Sequence, residues 1–480
     1  MKLSNRSLLA IAIFLLFLVT ILTQFYGNAD IGDYADVAKF FAGDYHAEIR
    51  SSHSYFYGFI CSPFIKLTGD FLGMKLMTLV WLILLMLSIY HISGRNKRSL
   101  LLIITAPVFW YMAPIINPIQ IASLFFLWGY YFLKKYNSEE KIKYLIYSGL
   151  FFGLAWVFWD TSLHFGILIT LCFFWNKKFS HLLLFLIFVF LGLLPRLILD
   201  QFLFNFPFYT VIKSFTGGFV NSLWPGTLGS GHSAKTFISI FSTVIMLPLF
   251  SYILFIPKNF VEDKKTNIFL ILAFILILSN PQPRYMLFLV PILILNLSKK
   301  ITLKQLKISI CVSMIIILLV VFPYLVQIKY STNSPELTAM ASNFGDITFN
   351  KESIEEIWIV DLNKISEEFP NEIFLVGPLS DDYSILARNY WGENIKEFVS
   401  IQDYNLWVED ETTLFEKEFR PISNINNRRE IWISGGIDAK INSSEFKKIN
   451  YLINLDKRFS LNGFELIREY DSLYLYKKNT

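Results

Sequence analysis

Five carboxylates crowd into GNADIGDYADVAKFFAGDYHAE, residues 27–48, directly after a long apolar run. A carboxylate placed beside a hydroxyl group can act as a general base, so this segment is the first candidate for chemistry. Asp30 follows the apolar run immediately, where an ionisable group is by default a functional candidate. The sequence therefore indicates Asp30 as a functional residue, with Asp33 as the alternative. The other three are interpreted as solvated or loop charges: Asp36, Asp44 and Glu48.

The segment YADVAKFFA, residues 34–42, predicts an amphipathic helix beside these carboxylates. Its apolar residues recur with helical spacing at Tyr34, Val37, Ala38 and Phe41. Asp33 then takes the N-cap position and Gly43 ends the helix, which gives Asp33 a structural role as well as a catalytic one. Such a helix suits the membrane interface.

A candidate cation lies late in the chain, in SNPQPRYMLFLVPILIL. Arg284 stands between a proline-rich turn and an apolar helix, followed directly by Tyr285. The planar guanidinium matches the oxygens of a phosphate group, which favours phosphate binding here. The alternative is an arginine that only reaches from a membrane helix into the interface.

Further polar residues are candidates for the lining of a cavity near these groups: Tyr34, His53, Asp160 and Lys213. Asp160, in GLAWVFWDTSLHFG, lies at the tip of a tight turn, where it either caps the next helix or faces the cavity. Lys213 belongs to a loop, residues 200–235, whose Gly- and Ser-rich part predicts either a lid or ordinary loop flexibility.

Composition assigns the chain to the membrane proteins. Of its 480 residues 54% are hydrophobic and only 17% charged, and apolar runs long enough to cross a bilayer recur. Three scattered cysteines and six histidines form neither a disulfide framework nor a zinc pattern. No nucleotide-binding glycine motif occurs, which disfavours an ATP-driven pump. No cofactor is assigned and no nucleic-acid partner is expected, while a divalent metal stays possible.

Eleven apolar spans are predicted, of which the first is interpreted as a retained signal anchor rather than a cleaved signal peptide. They are approximately 7–25, 74–93, 99–113, 117–133, 142–158, 160–175, 180–199, 236–256, 267–279, 285–297 and 306–327. Connections rich in Lys and Arg alternate with connections that have few. The positive-inside rule then places the N-terminus in the cytoplasm and the acidic segment, Asp160 and Arg284 on the outer face of a multi-pass cell-membrane protein.

The character of the sequence changes after residue 328. Short β-rich runs such as EIFLVGPL and EFVSI alternate with polar, helix-compatible segments such as SSEFKKINYLINLDKRF. The end, GFELIREYDSLYLYKK, predicts two strands around a turn. We therefore expect a transmembrane domain over residues 1–328, with a first external loop at 26–73, and an extracytoplasmic α/β domain over 329–480.

Several motifs in this order resemble the GT-C superfamily of polyprenyl-phosphate-sugar-dependent glycosyltransferases, which includes protein O-mannosyltransferases and lipid A aminoarabinose transferases. DIGDYADVAKFFAGDY is similar to the acidic start of that family's first external loop. SGLFFGLAWVFWDTSLHFG, LDQFLFNFPFYT and PRYMLFLVPILIL resemble a later pair of spans, a loop and a late helix. The likeness covers roughly residues 30–295.

The resemblance implies a helical polytopic membrane enzyme that moves a sugar from a polyprenyl-phosphate donor to a hydroxyl of a lipid, glycan or protein acceptor, with inversion. It implies that Asp30 or Asp33 is the base and that Arg284 and Tyr285 bind the donor phosphate. Two departures stand out. Ile31 replaces the family's second acid, which leaves the base open between the two aspartates, and Trp159-Asp160 replaces a basic turn residue, which suggests a different sugar or acceptor.

Two other classes remain as alternatives, a flippase for lipid-linked sugars and a non-catalytic membrane scaffold. A transporter is expected to have internal repeats and ionisable residues near the middle of its spans. The sequence has no evident repeat and no carboxylate in the middle of a predicted span. The enzyme is therefore the favoured interpretation.

Overall fold

The computed structural model describes most of the first two thirds of the chain and parts of the last third. The described residues are 4–22, 31–43, 54–68, 70–175, 177–212, 214, 237–321, 361, 364–365, 367–369, 372, 374–376, 398–400, 450–454, 463–471 and 473–479.

Helices make up nearly all of the described part before residue 322. In chain order they are α1 (Asn5–Leu22), α2 (Ile31–Ala42), α3 (Phe56–Thr68), α4 (Asp70–Ile92), α5 (Lys97–Ile104), α6 (Pro107–Met112), α7 (Ile119–Glu139), α8 (Ile142–Phe158), α9 (Thr161–Phe174), α10 (Phe179–Phe204), α11 (Phe237–Val244), α12 (Pro257–Glu262), α13 (Lys264–Ser279), α14 (Met286–Leu297) and α15 (Leu303–Ile316). Two 3₁₀ turns, Ser251–Phe255 and Pro283–Tyr285, and a π-helical turn, Ile317–Val321, complete this part.

The helices agree with most predicted spans and disagree with two. Among the described residues, three helices are long and apolar enough to cross a membrane: Leu72–Ile92, Phe179–Leu203 and Leu303–Val321. The predicted span 99–113 is not one helix, because Pro107 lacks the N–H that would continue α5 and instead starts α6. The predicted span 236–256 is also interrupted, since α11 ends at Val244 and a separate 3₁₀ turn follows.

Helices α8 and α10 pack at unusually close range through glycines. A Cβ atom on Gly153 of α8 would lie 2.1 Å from the carbonyl oxygen of Val189, and one on Gly192 of α10 would lie 2.3 Å from that of Leu150. Gly149 lies one turn before Gly153 and also faces α10. This is the small-residue packing that lets membrane helices approach each other without a hydrophobic driving force.

The connections rich in Lys and Arg meet at one end of the bundle, which we call the basic end. Hydrogen bonds and ion pairs join different connections there: Arg98 to Ile301 (3.0 Å), Lys177 to Glu140 (2.6 Å), Lys265 to Asn137 (3.0 Å) and Lys300 to Glu262 (2.7 Å). The sequence-based expectation that these connections share one side of the bundle is confirmed. That this side is cytoplasmic stays a prediction.

The described part of the C-terminal region contains a five-stranded mixed sheet, in the order β2-β1-β3-β5-β4. The strands are β1 (Phe374–Val376), β2 (Phe398–Ser400), β3 (Tyr451–Asn454), β4 (Phe464–Glu469) and β5 (Tyr474–Lys478). β1 pairs in parallel with β2 and β3, while β5 is antiparallel to β3 and β4. The predicted final hairpin is confirmed, whereas β3 lies in a segment that we interpreted as helix-compatible.

Candidate active site

Three segments converge at the end of the bundle opposite the basic end. Ser54, just before α3, donates a hydrogen bond of 2.5 Å from its hydroxyl to the carbonyl oxygen of Val157 in α8. The Phe56 and Phe158 rings meet edge to face at 5.5 Å. The end of the first loop is therefore fastened to the turn between α8 and α9, and the third segment reaches the same turn.

That third segment is the 3₁₀ turn Pro283–Tyr285, which leads into α14. The Tyr285 ring lies 5.3 Å from the ring of Trp159, which in turn stacks on Phe288 at 5.5 Å. Trp159 and Tyr285 are thus neighbours, although 126 positions separate them in the sequence. The structure brings the predicted phosphate-binding pair and the Asp160 turn to one place.

Arg284 is half-buried beside this aromatic contact. Its Nε donates a hydrogen bond of 2.6 Å to Oε1 of Gln282, and the centre of its guanidinium lies 5.7 Å from the centroid of the Tyr285 ring. A guanidinium in contact with an aromatic ring keeps its charge and presents a defined orientation. The turn therefore positions a cation beside Tyr285, whose ring contacts Trp159, and a positioned cation is what phosphate binding requires.

Asp160 does not act as a helix cap, contrary to one of its two sequence interpretations. It takes the N-cap position of α9, but its side chain makes no capping hydrogen bond. Its carboxylate pairs with Arg196 of α10 instead, through contacts of 2.6 Å and 3.3 Å, and accepts a hydrogen bond of 3.3 Å from Nε1 of Trp156. The opposite charge of a buried guanidinium outcompetes the weaker backbone donors of the helix start.

Arg196 belongs to a buried polar network that the sequence analysis missed. It is only 1% exposed, and it also donates to the hydroxyl of Thr210 at 2.9 Å and to the carbonyl oxygen of Trp156 at 3.2 Å. Thr210 in turn donates both its backbone N–H (2.9 Å) and its hydroxyl (2.7 Å) to Asp200, which is equally buried. The signal was present, because two ionisable residues interrupt the apolar run LGLLPRLILDQF.

The helix of the first external loop packs against this region. Helix α2 lies on α3, where the Tyr34 and Tyr57 rings meet edge to face at 5.3 Å and Val37 fills the space above Gly58. The hydroxyls of Tyr57 and Thr78 form a hydrogen bond of 2.6 Å that ties the pair to α4. Tyr34 is only 2% exposed, so it contributes to helix packing here.

Two solved structures of ArnT from Cupriavidus metallidurans share this architecture. The one bound to undecaprenyl phosphate has a TM-score of 0.61 and 12% sequence identity, and the match covers 98% of this chain and 97% of ArnT. The apo structure gives a TM-score of 0.60 at 12% identity, with the same coverage. The chain has the ArnT fold.

The ArnT fold confirms the architecture expected from the resemblance to the GT-C superfamily, a polytopic helical membrane domain followed by a small sheet. No protein-family model and no curated protein sequence matches the chain. At 12% identity the likeness to ArnT is therefore one of fold.

Within this ArnT fold, the structure locates only some of the predicted site residues. Helix α2 begins at Ile31, so Asp33 lies in its first turn and not before it, which corrects the predicted cap position. Gly43 ends α2 with a φ of 106°, as predicted. Asp30, His53, Lys213 and the side chain of Asp33 lie outside the described residues. Within the described part, no group of three or more His, Cys, Asp or Glu side chains could hold a metal ion.

Proposed function

We propose that this protein is a membrane glycosyltransferase that moves a sugar from a polyprenyl-phosphate donor to an acceptor hydroxyl on the outer face. The proposal rests on one observation, that Arg284 and Tyr285 meet the Trp159-Asp160 turn at the end of an ArnT-like bundle away from the basic end. A phosphate-binding cation at the membrane surface is what a lipid-phosphate donor needs. The solved ArnT bound to undecaprenyl phosphate supports a donor of this class.

Arg284 is assigned to the leaving group. When the bond between the sugar and the lipid phosphate breaks, negative charge builds up on the phosphate oxygens. A guanidinium already held beside Tyr285 stabilises that charge without having to reorganise. Tyr285 lies between Arg284 and Trp159, so its ring and hydroxyl form the second part of the phosphate site.

Asp30 is assigned to the acceptor, with Asp33 as the alternative. A carboxylate that removes the proton from the acceptor hydroxyl lets the oxygen attack the anomeric carbon from the face opposite the phosphate, which inverts the sugar. Asp30 immediately precedes α2, and α2 packs through Tyr34 against α3, which is fastened to the Trp159 turn. This chain of contacts links the first loop to the phosphate site.

The Asp160–Arg196 pair is assigned to positioning. Arg196 holds both the carboxylate of Asp160 and the carbonyl oxygen of Trp156, and Trp159 lies between these two residues. The pair therefore fixes the turn from which the Trp159 ring reaches Tyr285. Residues 329–480 are assigned to acceptor access, with a lipid, glycan or protein as the acceptor class.

The phosphate assignment predicts the behaviour of Arg284 variants. In a transfer assay with a labelled polyprenyl-phosphate sugar, Arg284→Ala is expected to lower kcat/KM for the donor roughly 10- to 100-fold, since a charge-assisted hydrogen bond contributes ~1.5–3 kcal/mol. Arg284→Lys keeps the positive charge but lacks the planar guanidinium, so its kcat/KM for the donor should lie between those of the unchanged protein and Arg284→Ala. Arg95→Ala, which removes an exposed arginine at the basic end, is the control with unchanged transfer. Unchanged donor dependence in active Arg284→Ala would overturn the assignment. Labelled lipid crossing the bilayer without transfer would indicate a flippase.

The proposed topology predicts the result of protease treatment. With the basic end in the cytoplasm, the region after residue 330 lies outside the cell. Protease added to intact cells is expected to release fragments of this region while the helical domain stays in the membrane, as immunoblots against each part would show. Protection of the C-terminal region until the cells are lysed would reject this orientation.

A further inference from the structure

A small cavity lies at the basic end, far from the candidate active site. It has a volume of about 130 Å³ between the ends of α4, α7 and α14. The polar part of its lining includes Ser93, Tyr131, Lys134, Lys135, Asn296 and Lys299. None of these residues has a role in the proposed transfer reaction.

The floor of the cavity is neutral and fully hydrogen-bonded. Lys134 forms an ion pair with Asp263 and donates to Oδ1 of Asn296 at 2.9 Å and to the hydroxyl of Tyr130 at 3.3 Å. Asn296 also donates to the Tyr130 hydroxyl at 3.3 Å. The charge of Lys134 is therefore already compensated by the protein, and its position is fixed.

Two further lysines of the lining have no such compensation. In the described part of the chain, no carboxylate lies within ion-pair distance of Lys135 or Lys299. Glu139, one turn from Lys135, attracts its ammonium only from beyond that distance and pairs with Lys141 at 2.8 Å. The ammonium of Lys135 instead lies 5.0 Å and 5.2 Å from the ring centroids of Tyr131 and Tyr144. The rings hold this cation in place without neutralising it. The cavity consequently has a surplus of two positive charges and favours an anion.

Surrounding aromatic residues indicate the depth of the cavity in the membrane. Trp128, Tyr131 and Tyr144 cluster beside it, with Phe132 between them. Trp and Tyr concentrate where the hydrocarbon meets the headgroups. Ile92 and Leu295 supply an apolar side to the same cavity. An amphiphile with a phosphate next to its chain fits both surfaces.

We propose that this cavity binds the phosphate of an anionic glycerophospholipid from the leaflet at the basic end, between Lys135 and Lys299. Clusters of basic residues between helices at this level recognise such headgroups. A cavity of about 130 Å³ is several times larger than the ~10–15 Å³ that a single water requires, so it admits a phosphate group. The lipid chain then lies along the apolar side.

Native mass spectrometry of the purified full-length protein tests the site. The protein is incubated with phosphatidylglycerol or with phosphatidylcholine, and retained lipid is counted while the detergent is removed. We expect one phosphatidylglycerol to be retained and its apparent affinity to fall roughly tenfold or more in Lys135→Glu and Lys299→Glu. Lys178→Glu changes the net charge equally at the same end, on a lysine outside the cavity lining, and should retain the lipid. If the reversed charge prevents folding, Lys135→Gln and Lys299→Gln replace these variants, with a smaller expected loss of affinity for phosphatidylglycerol.

Three results would overturn the proposal. An equal loss of lipid affinity in Lys178→Glu and in the two cavity variants would show that the lipid is attracted to the basic surface as a whole. Equal retention of phosphatidylcholine would show that the lysines do not select charge. Displacement of the lipid by millimolar inorganic phosphate would identify a site for soluble phosphate. None of these measurements uses sugar transfer, so they remain valid if the proposed function is wrong.

Discussion

Asp30→Asn is expected to slow sugar transfer by roughly 10²- to 10⁴-fold, the usual contribution of a general base. Asparagine keeps the shape of the side chain but cannot accept the proton of the acceptor hydroxyl. The loss should appear in the rate of the bound complex, and the KM for the donor should change little, because Arg284 still binds the phosphate. Single-turnover transfer with a labelled donor measures this rate directly.

Asp36→Asn is the matched control and should leave transfer unchanged, while Asp33→Asn tests the alternative base. Helix α2 begins at Ile31, so Asp33 lies in the first turn, where a carboxylate interacts favourably with the helix dipole. Its replacement should cost about 0.3–1 kcal/mol of local stability and leave most of the transfer activity. If Asp33→Asn is the severe variant, then Asp33 is the base. Severe loss of transfer in both Asp30→Asn and Asp33→Asn would mean that these two carboxylates share the acceptor or a metal. Full transfer in both variants would leave α2 as an interfacial helix with solvated charges.

Asp160→Ala is expected to destabilise the folded protein by about 3–5 kcal/mol, the scale for breaking a buried ion pair. The reason is the charge that remains, because the guanidinium of Arg196 is 1% exposed and loses the carboxylate 2.6 Å away. Denaturant unfolding in detergent micelles, followed by tryptophan fluorescence, measures the change. The triple variant Asp160→Leu, Arg196→Met and Asp200→Asn removes every charge of this buried network, including that of Asp200 beyond Thr210, and should recover much of the loss.

Glu262→Gln is the control for this second prediction. Glu262 pairs with Lys300 at 2.7 Å, but it is largely exposed at the basic end, so its removal should leave unfolding almost unchanged. A similarly small effect of Asp160→Ala would show that the Arg196 charge finds water or another partner. Normal donor KM in a folded Asp160→Ala would contradict the positioning role of the pair.

The parts of the fold that depend on local pattern could be predicted from the sequence. The apolar spacing from Tyr34 to Phe41 and the glycine at position 43 gave α2 and its end, because both signals act within one helix. The alternation in the last residues gave the β4–β5 hairpin for the same reason. The ArnT architecture was expected from the order of several weak motifs.

Contacts between distant elements could not be predicted in this way. Apolar periodicity places Arg196 inside a span but does not say which helix supplies its partner. Since the pairing with Arg196 could not be foreseen, the sequence offered only a local cap or a cavity residue as roles for Asp160. The break between α5 and α6 was missed because Ala106 and Pro107 leave the hydropathy of the run high. Strand β3 was missed because four residues, Tyr451–Asn454, are too few for a period to show against charged neighbours.

The pairing of Arg196 with Asp160 also bears on how the chain enters the bilayer during synthesis. An unpaired arginine within an apolar helix adds to the cost of inserting that helix, and α10 carries an aspartate as well. Asp160 is made 36 residues before Arg196, so the partner is already at the translocon when α10 emerges. Helix α8, whose Gly149 and Gly153 contact α10 in the folded protein, is also synthesised before Gly192. We therefore expect α10 to enter the membrane when the partner for its arginine has already been synthesised.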